Sequence, residues 1–187
     1  MATTKRNPVM TVVAIGIGAA LIMILMRFIA LPSPIPNTKI QTAFGFLALF
    51  AGVFGPVAGA FAAFIGHALN DITQYGTAWW SWIICSGLLG YAMGYSIDFK
   101  KLQNGIFGLK QIITFNSVQV LANIALWAGV APSLDIIIYK EPINKVYLQG
   151  LVSASANALS VAIIGTLLLV SYAKTRTKSG SLSLEKD

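Results

Sequence analysis

Residues 41–71 read QTAFGFLALFAGVFGPVAGAFAAFIGHALND, and the apolar part of this stretch is too long for one membrane crossing. As a single helix, 41–69 would extend roughly 43 Å at about 1.5 Å per residue, whereas a bilayer core is about 30 Å thick. Gly55-Pro56 lies near its middle, where glycine permits a turn and proline can begin a new helix. We therefore expect two short helices, 41–54 and 56–71. One tilted, kinked helix is the alternative.

Four other apolar stretches flank this one, and each has the length of a single crossing. They are 9–30, 79–97, 106–130 and 146–172. Hydrophobic residues make up 56% of the chain and charged residues only 10%, a composition that one soluble surface cannot cover. The first stretch follows Lys5 and Arg6 as a signal peptide would, but it lacks a clear small-residue cleavage site. We expect it to be a retained helix.

Basic residues decide the expected orientation, because cytoplasmic loops near membrane spans are enriched in Lys and Arg. Six spans put both termini on one side, together with the loop that holds Lys100 and Lys101. Five spans would leave the basic tail outside. The sequence therefore predicts an all-α integral membrane protein with six transmembrane helices and both termini in the cytoplasm. Residues 1–178 would form one domain and 179–187 a disordered tail.

Polar side chains recur at helical spacing inside the apolar stretches and form three polar stripes. Because an unpaired amide in hydrocarbon costs on the order of 4–8 kcal/mol, such groups should face the interior of the bundle. If the stripes converge on one cavity, they form a binding site. The alternative is that the amides only bond between helices, at about 0.6–2 kcal/mol each. The stripes are His67, Asn70 and Asp71; Asn116, Gln119 and Asn123; and Gln149, Ser153 and Asn157.

Aromatic residues crowd the expected outer interface. An aromatic belt at the membrane surface explains them without a ligand. One or two of the rings can instead stack on a flat ligand in a cavity. The residues concerned are Tyr75, Trp79, Trp80, Trp82 and Trp127.

Several motifs for energised transport or catalysis are missing from the sequence. There is no G-x-x-x-x-G-K-[ST] for ATP, and no acidic residue near the centre of an expected span for ion coupling. The only histidine, His67, has Asp71 nearby but no evident nucleophile. With Cys85 as the only cysteine, we expect neither a metal site nor a cofactor. The basic residues form no aromatic-interleaved patch, so a net charge of +7 does not indicate nucleic acid.

Small residues at four-residue spacing leave one surface of the first span with almost no side chains. Ala14-x-x-x-Gly18 and the offset Gly16-x-x-x-Ala20 form this surface, which another helix can approach closely. We expect it to dock a protein partner, and internal packing is the alternative.

Five motifs stand out along the chain: VVAIGIGAA (12–20), PIPNT (34–38), FGPVAG (54–59), IGHALND (65–71) and QYGTAWW (74–80). They resemble those of the S component of energy-coupling factor (ECF) transporters, in the riboflavin-type subgroup, and the resemblance covers nearly the whole chain. The resemblance implies a six-helix subunit of the bacterial plasma membrane whose outward cavity binds a vitamin or precursor, without catalysis. Riboflavin, hydroxymethylpyrimidine and a pyridoxine-like compound are the candidate substrates.

The resemblance also implies partners. Energy would come from two ATPase subunits acting through a transmembrane coupling subunit, while the S component topples in the bilayer. In the family, an alanine-x-x-x-alanine spacing on the first helix docks on the coupling subunit, and Ala14-x-x-x-Gly18 matches it with glycine at the second position.

The expected substrate-binding residues combine the polar and aromatic groups with the loop 31–40, which would act as a lid. A stand-alone secondary transporter or channel, and a membrane assembly protein without a ligand, are the alternative functions. The expected site residues are Asn37, Lys39, Gln41, His67, Asn70, Asp71, Tyr75, Trp79, Trp80, Asn116, Gln119, Asn123, Gln149 and Asn157.

Overall fold

The computed structural model describes residues 8–36 and 38–176, which form seven helices and a two-stranded hairpin. Strands β1 (Leu31–Pro32) and β2 (Lys39–Ile40) pair antiparallel. The expected lid residue Asn37, the basic residues before Pro8 and the tail expected to be disordered lie outside the described residues. The helices are α1 (Pro8–Phe28), α2 (Ala43–Phe54), α3 (Pro56–Tyr75), α4 (Trp80–Ser96), α5 (Phe99–Gln103), α6 (Leu109–Tyr139) and α7 (Ile143–Lys174).

Three of these helices, α1, α6 and α7, are long and apolar enough to cross a membrane by length and composition. Helix α2 is apolar but has only 12 residues. The described part of the chain is thus all-helical apart from the short hairpin, as the sequence predicts, with three candidate spans by this criterion.

Gly55 separates α2 from α3. Its φ of 93° lies in the region that favours glycine, and its N–H donates to the carbonyl of Ala51 to close α2. Pro56 then begins α3, where a helix does not need the missing N–H. At the other end of α3, Gly76 adopts the left-handed conformation and caps the helix through Ile72. The break therefore falls at the expected Gly55-Pro56 step.

Helix α3 packs closely against both α1 and α4. A Cβ atom on Gly90 of α4 would lie 2.5 Å from the carbonyl oxygen of Gly59 on α3. A Cβ atom on Gly66 would lie 2.7 Å from the carbonyl oxygen of Ala19 on α1. Glycine at these contacts lets the helix backbones touch, as in other tightly packed membrane helices. The apolar core beside this contact is filled by large side chains such as Leu47, Leu89, Phe115 and Leu169.

Helix α6 continues past the expected end of its span at Val130. Residues Ile124–Val130 are π-helical, and α-helix resumes at Ala131. Pro132 stands in the first turn of the resumed α-helix, a position where proline is tolerated. The expected spans leave 131–145 as a loop between them, but this segment is helical as far as Tyr139, so the expected end of the span at residue 130 is corrected.

Candidate functional site

A cavity of about 330 Å³ lies where the hairpin meets the ends of α3, α4, α6 and α7. Its volume falls in the range of small-molecule sites. Trp80, Asn116, Gln119 and Asn123 were expected in the site but do not line the cavity. Nine other expected residues do line it: Lys39, Gln41, His67, Asn70, Asp71, Tyr75, Trp79, Gln149 and Asn157.

The C-terminal end of α3 supplies a buried polar group to the cavity wall. His67 Nε2 lies 3.4 Å from Asp71 Oδ1, one helical turn away, and His67 Nδ1 lies 2.6 Å from Ser86 Oγ on α4. Asp71 Oδ2 also accepts from the backbone N–H of Trp79 at 3.2 Å. Ser86 is fully buried and does not line the cavity. This serine, histidine and aspartate therefore join α3 to α4 and do not present a nucleophile to a ligand.

Asp135 organises the aromatic wall of the cavity. Its carboxylate accepts hydrogen bonds from the indole N–H groups of Trp79 at 3.0 Å and Trp82 at 2.7 Å, and from the hydroxyl of Ser81. The ring of Trp82 stacks on Trp127, with centroids 5.7 Å apart. Asp135 is only 2% exposed and lines the cavity. Three neutral donors from α4 and the turn before it thus hold one carboxylate of α6.

Asp135, Trp82 and Trp127 were absent from the expected site, although the sequence carries a signal for the two residues of α6. The expected span ends at residue 130, which leaves Asp135 outside it. This boundary interrupts a series of residues that are spaced four apart along α6. Carried past Pro132, the series brings Trp127 and Asp135 to one buried face. Its members, all buried, are Phe115, Gln119, Asn123, Trp127, Ala131 and Asp135.

The three amides of α6 bond to each other and to α7. Asn116 Nδ2 donates to Thr166 Oγ1 at 2.9 Å, and Gln119 Nε2 donates to Asn116 Oδ1 at 3.1 Å and to the carbonyl of Ala158 at 3.2 Å. Asn123 Nδ2 donates to Gln119 Oε1 at 3.0 Å. These contacts match the alternative in which the amides hold helices together. Trp80, the fourth expected residue that does not line the cavity, is half exposed and packs on the ring of Phe64.

The hairpin is tied to two helices beside the cavity. Gln149 Nε2 of α7 donates to the carbonyl of Pro36 at 2.8 Å. Lys39 Nζ of β2 donates to Gln74 Oε1 of α3 at 3.2 Å. Two side-chain hydrogen bonds thus fasten this loop to α7 and to α3.

The four small residues expected to dock a partner divide between two faces of α1. Ala14 and Gly18 are buried inside the protein, where a Cβ atom on Gly18 would lie 2.5 Å from the ring of Phe50. Gly16 and Ala20 are exposed, and a Cβ atom on Gly16 would meet nothing within 4 Å. The face formed by Ala14 and Gly18 is therefore used for internal packing, and only the offset pair is open to a neighbour.

Metal ligands are not clustered in the part of the chain that the structure describes. No group of three or more His, Cys, Asp or Glu side chains there is placed to hold a metal ion.

Comparison with known proteins finds one matching family and several relatives that are similar along nearly their whole length. Residues 6–174 match the family described as ECF-type riboflavin transporter, S component. A "UPF0397 protein" of Lactiplantibacillus plantarum is 52% identical over 186 residues, covering 100% of both chains. One from Lactococcus lactis subsp. cremoris is 53% identical, covering 98% of this chain and 97% of the relative. One from Staphylococcus aureus is also 53% identical, covering 95% and 96%. No solved structure matches.

Proposed function

This chain belongs to the family of ECF-type riboflavin transporter S components, and we propose that it binds a vitamin or vitamin precursor in the cavity and carries it across the bacterial plasma membrane. Members of the family are membrane-embedded transporter subunits and not enzymes. One observation carries the proposal: the cavity of about 330 Å³ combines stacked indoles with buried hydrogen-bonding groups. Riboflavin, hydroxymethylpyrimidine and a pyridoxine-like compound are the candidate substrates.

In the proposed arrangement, six helices cross the bilayer: α1, α2, α3, α4, α6 and α7. Helix α5 contacts the C-terminal end of α7, where Gln103 Nε2 donates to the hydroxyl of Tyr172 at 3.0 Å. Lys100, Lys101 and Lys174 all belong to this end of the molecule. Because basic residues favour the cytoplasm, this end faces inward and the cavity opens outward.

In this proposal the cavity takes up the substrate from outside, and the hairpin acts as its lid. The hydrogen bonds from Gln149 to Pro36 and from Lys39 to Gln74 support this role, since both fasten the loop beside the cavity. Breaking two hydrogen bonds requires little free energy, on the order of 1 kcal/mol net each. The lid can therefore open and close on a polar ligand.

The driving force would come from partners. Two ATPase subunits hydrolyse ATP, and a transmembrane coupling subunit transmits their conformational change to this chain. We place the docking surface on the exposed face of α1 around Gly16 and Ala20, because these residues let another helix approach closely. Ala14 and Gly18, which match the family's spacing, instead pack against the protein's own core.

The first test is native mass spectrometry of the full chain purified in detergent, followed by ultraviolet absorbance of the denatured sample. A co-purified flavin, pyrimidine or pyridine supports vitamin binding and names the substrate. An empty protein that shows no thermal shift with a panel of vitamins contradicts the proposal and favours a structural role. Substrate uptake by cells that lack the ATPase partners would contradict the ATP-driven mechanism.

A further inference from the structure

The charged residues around the cavity are not all paired. Glu141 and Lys145 form an ion pair, with Oε2 and Nζ 2.6 Å apart, and neutralise each other. Asp71, Asp135 and Lys39 also line the cavity. Asp71 lies beside the imidazole of His67, with Oδ1 and Nε2 3.4 Å apart, and the ammonium group of Lys39 bonds to Gln74. Asp135 is therefore the lining carboxylate that has no basic partner among the described residues.

Asp135 is the carboxylate that most needs a positive partner. Its three hydrogen-bond donors, two indoles and a hydroxyl, are uncharged. Neutral donors stabilise a buried carboxylate but leave its field in place, and that field is weakly screened away from water. Among the described residues, no Lys or Arg forms an ion pair with Asp135. A cation bound in the cavity is thus the electrostatic complement of this wall.

The aromatic side chains favour the same charge. Trp82 and Trp127 stack on one another beside Asp135, and both line the cavity. The face of an indole ring attracts cations, and this attraction grows when the pair is removed from water. A planar cation can therefore interact with the rings and with the carboxylate together.

Unpaired polar atoms on residues of the cavity wall point to a ligand that donates hydrogen bonds. The side-chain oxygens of Gln41, Asn70 and Asn157 have no hydrogen-bond partner among the described residues. Asn70 and Asn157 are 4% and 2% exposed, so water does not reach them freely. The amide of Asn70 is oriented by its Nδ2, which donates to Asp71 at 3.3 Å. Against these three acceptors stands one unpaired donor, Trp127 Nε1.

We infer that the ligand is a positively charged, amino-substituted aromatic heterocycle, selected by the Asp135 carboxylate and the indoles bound to it. The inference rests on the proposed function and makes it more specific. Riboflavin fits these features poorly, because it is uncharged at neutral pH and its ring system carries a single N–H group. An aminopyrimidine linked to a cationic ring fits them, since its amino group can donate to the unpaired oxygens.

Isothermal titration of the full chain in detergent tests this inference with defined probes. The probes are thiamine, a permanent cation with an aminopyrimidine ring; 4-amino-5-hydroxymethyl-2-methylpyrimidine; its 4-oxo counterpart; and riboflavin. We expect the two amino compounds to bind about tenfold or more tightly than the other two, with thiamine gaining further from its charge. This comparison uses the unaltered protein, so it does not depend on how any variant folds.

A pair of variants then tests whether Asp135 causes the preference for the charged ligand. Asp135→Asn should weaken thiamine binding about tenfold or more, and should lower the affinity for thiamine more than the affinity for riboflavin. Asp98→Asn is the matched control, because it removes the same charge at the start of α5, where asparagine can still cap the helix. Tighter binding of riboflavin than of both amino compounds overturns the inference but leaves the proposed function standing. Binding of none of the probes contradicts both.

Discussion

Buried polar side chains in this protein have two different roles, and burial alone does not separate them. Asn123 is fully buried, and its Nδ2 donates to the backbone and side-chain oxygens of Gln119. Asn157 is almost as buried but lines the cavity, which Asn123 does not. The Oδ1 atoms of both amides lack a partner among the described residues, so position at the cavity is what separates the two. The first amide contributes to folding, and the second is placed to serve a ligand.

An alanine substitution should therefore mainly lower stability at Asn123 and mainly weaken ligand binding at Asn157. Asn123→Ala should lower the free energy of unfolding by about 1–2 kcal/mol, because two hydrogen bonds are lost, and leave ligand affinity unchanged within about twofold. Asn157→Ala should weaken ligand binding about tenfold, because a buried hydrogen bond to the ligand is lost, with a smaller effect on stability. Thermal unfolding and titration of both purified variants measure the two effects. Weaker binding by the Asn123 variant at normal stability would place that amide in the site after all.

At the scale of elements, α1 presents two small-residue faces with different neighbours. The face with Ala14 and Gly18 packs on Phe50 of α2 and on α3, so its small size serves internal contact. The face with Gly16 and Ala20 has no such neighbour within the described part of the chain. The two faces differ by only two residues in sequence, which is about half a helical turn.

Gly16→Leu should abolish assembly with the coupling subunit while leaving ligand binding intact. The added side chain projects from the exposed face, where it holds a partner helix away but meets nothing in the protein itself. Co-purification with the tagged coupling and ATPase subunits measures assembly, and titration measures binding. Gly129→Leu on α6 is the matched control, since a Cβ atom there also meets nothing within 4 Å. Recovery of the complete complex with the Gly16 variant at normal yield would exclude this face as the docking surface.

At the scale of the whole molecule, the two ends of the helix bundle differ in character. One end holds the cavity and the hairpin. The other holds α5 and the end of α7, with Lys100, Lys101, Lys174 and Arg176. This polarity suits a subunit that receives its ligand on one side of a membrane and its energy from proteins on the other.

Cysteine labelling should reveal this orientation in intact cells. Cys85 is the only cysteine and is fully buried, so Cys85→Ser provides a background without native thiols. In that background, a membrane-impermeant maleimide should label Pro34→Cys in the exposed hairpin loop of intact cells. Lys101→Cys should react only after the cells are permeabilised. Labelling in the reverse pattern would invert the proposed topology.

Local sequence signals were sufficient to predict several helix boundaries and part of the cavity wall. Gly55-Pro56 ends one helix and begins the next because a positive φ and a missing N–H are local properties of these two residues. The polar end of α3 was also recognisable, since His67, Asn70 and Asp71 follow helical spacing in an apolar stretch. All three line the cavity. The expected span ended too early, at residue 130, because α6 continues through a π-helical segment and past Pro132 to Asp135.

The sequence by itself determined that this protein is helical and apolar, because composition and periodicity are properties of the chain alone. Its motifs also carried the resemblance to S components. The sequence also supplied the polar stripes. Only the tertiary structure decided which stripe lines the cavity and which small-residue face of α1 is covered. Helical spacing places residues on a face, but the neighbour of that face depends on how distant helices pack. Asp135 therefore became recognisable as the centre of the cavity wall only when α6 was packed against α4.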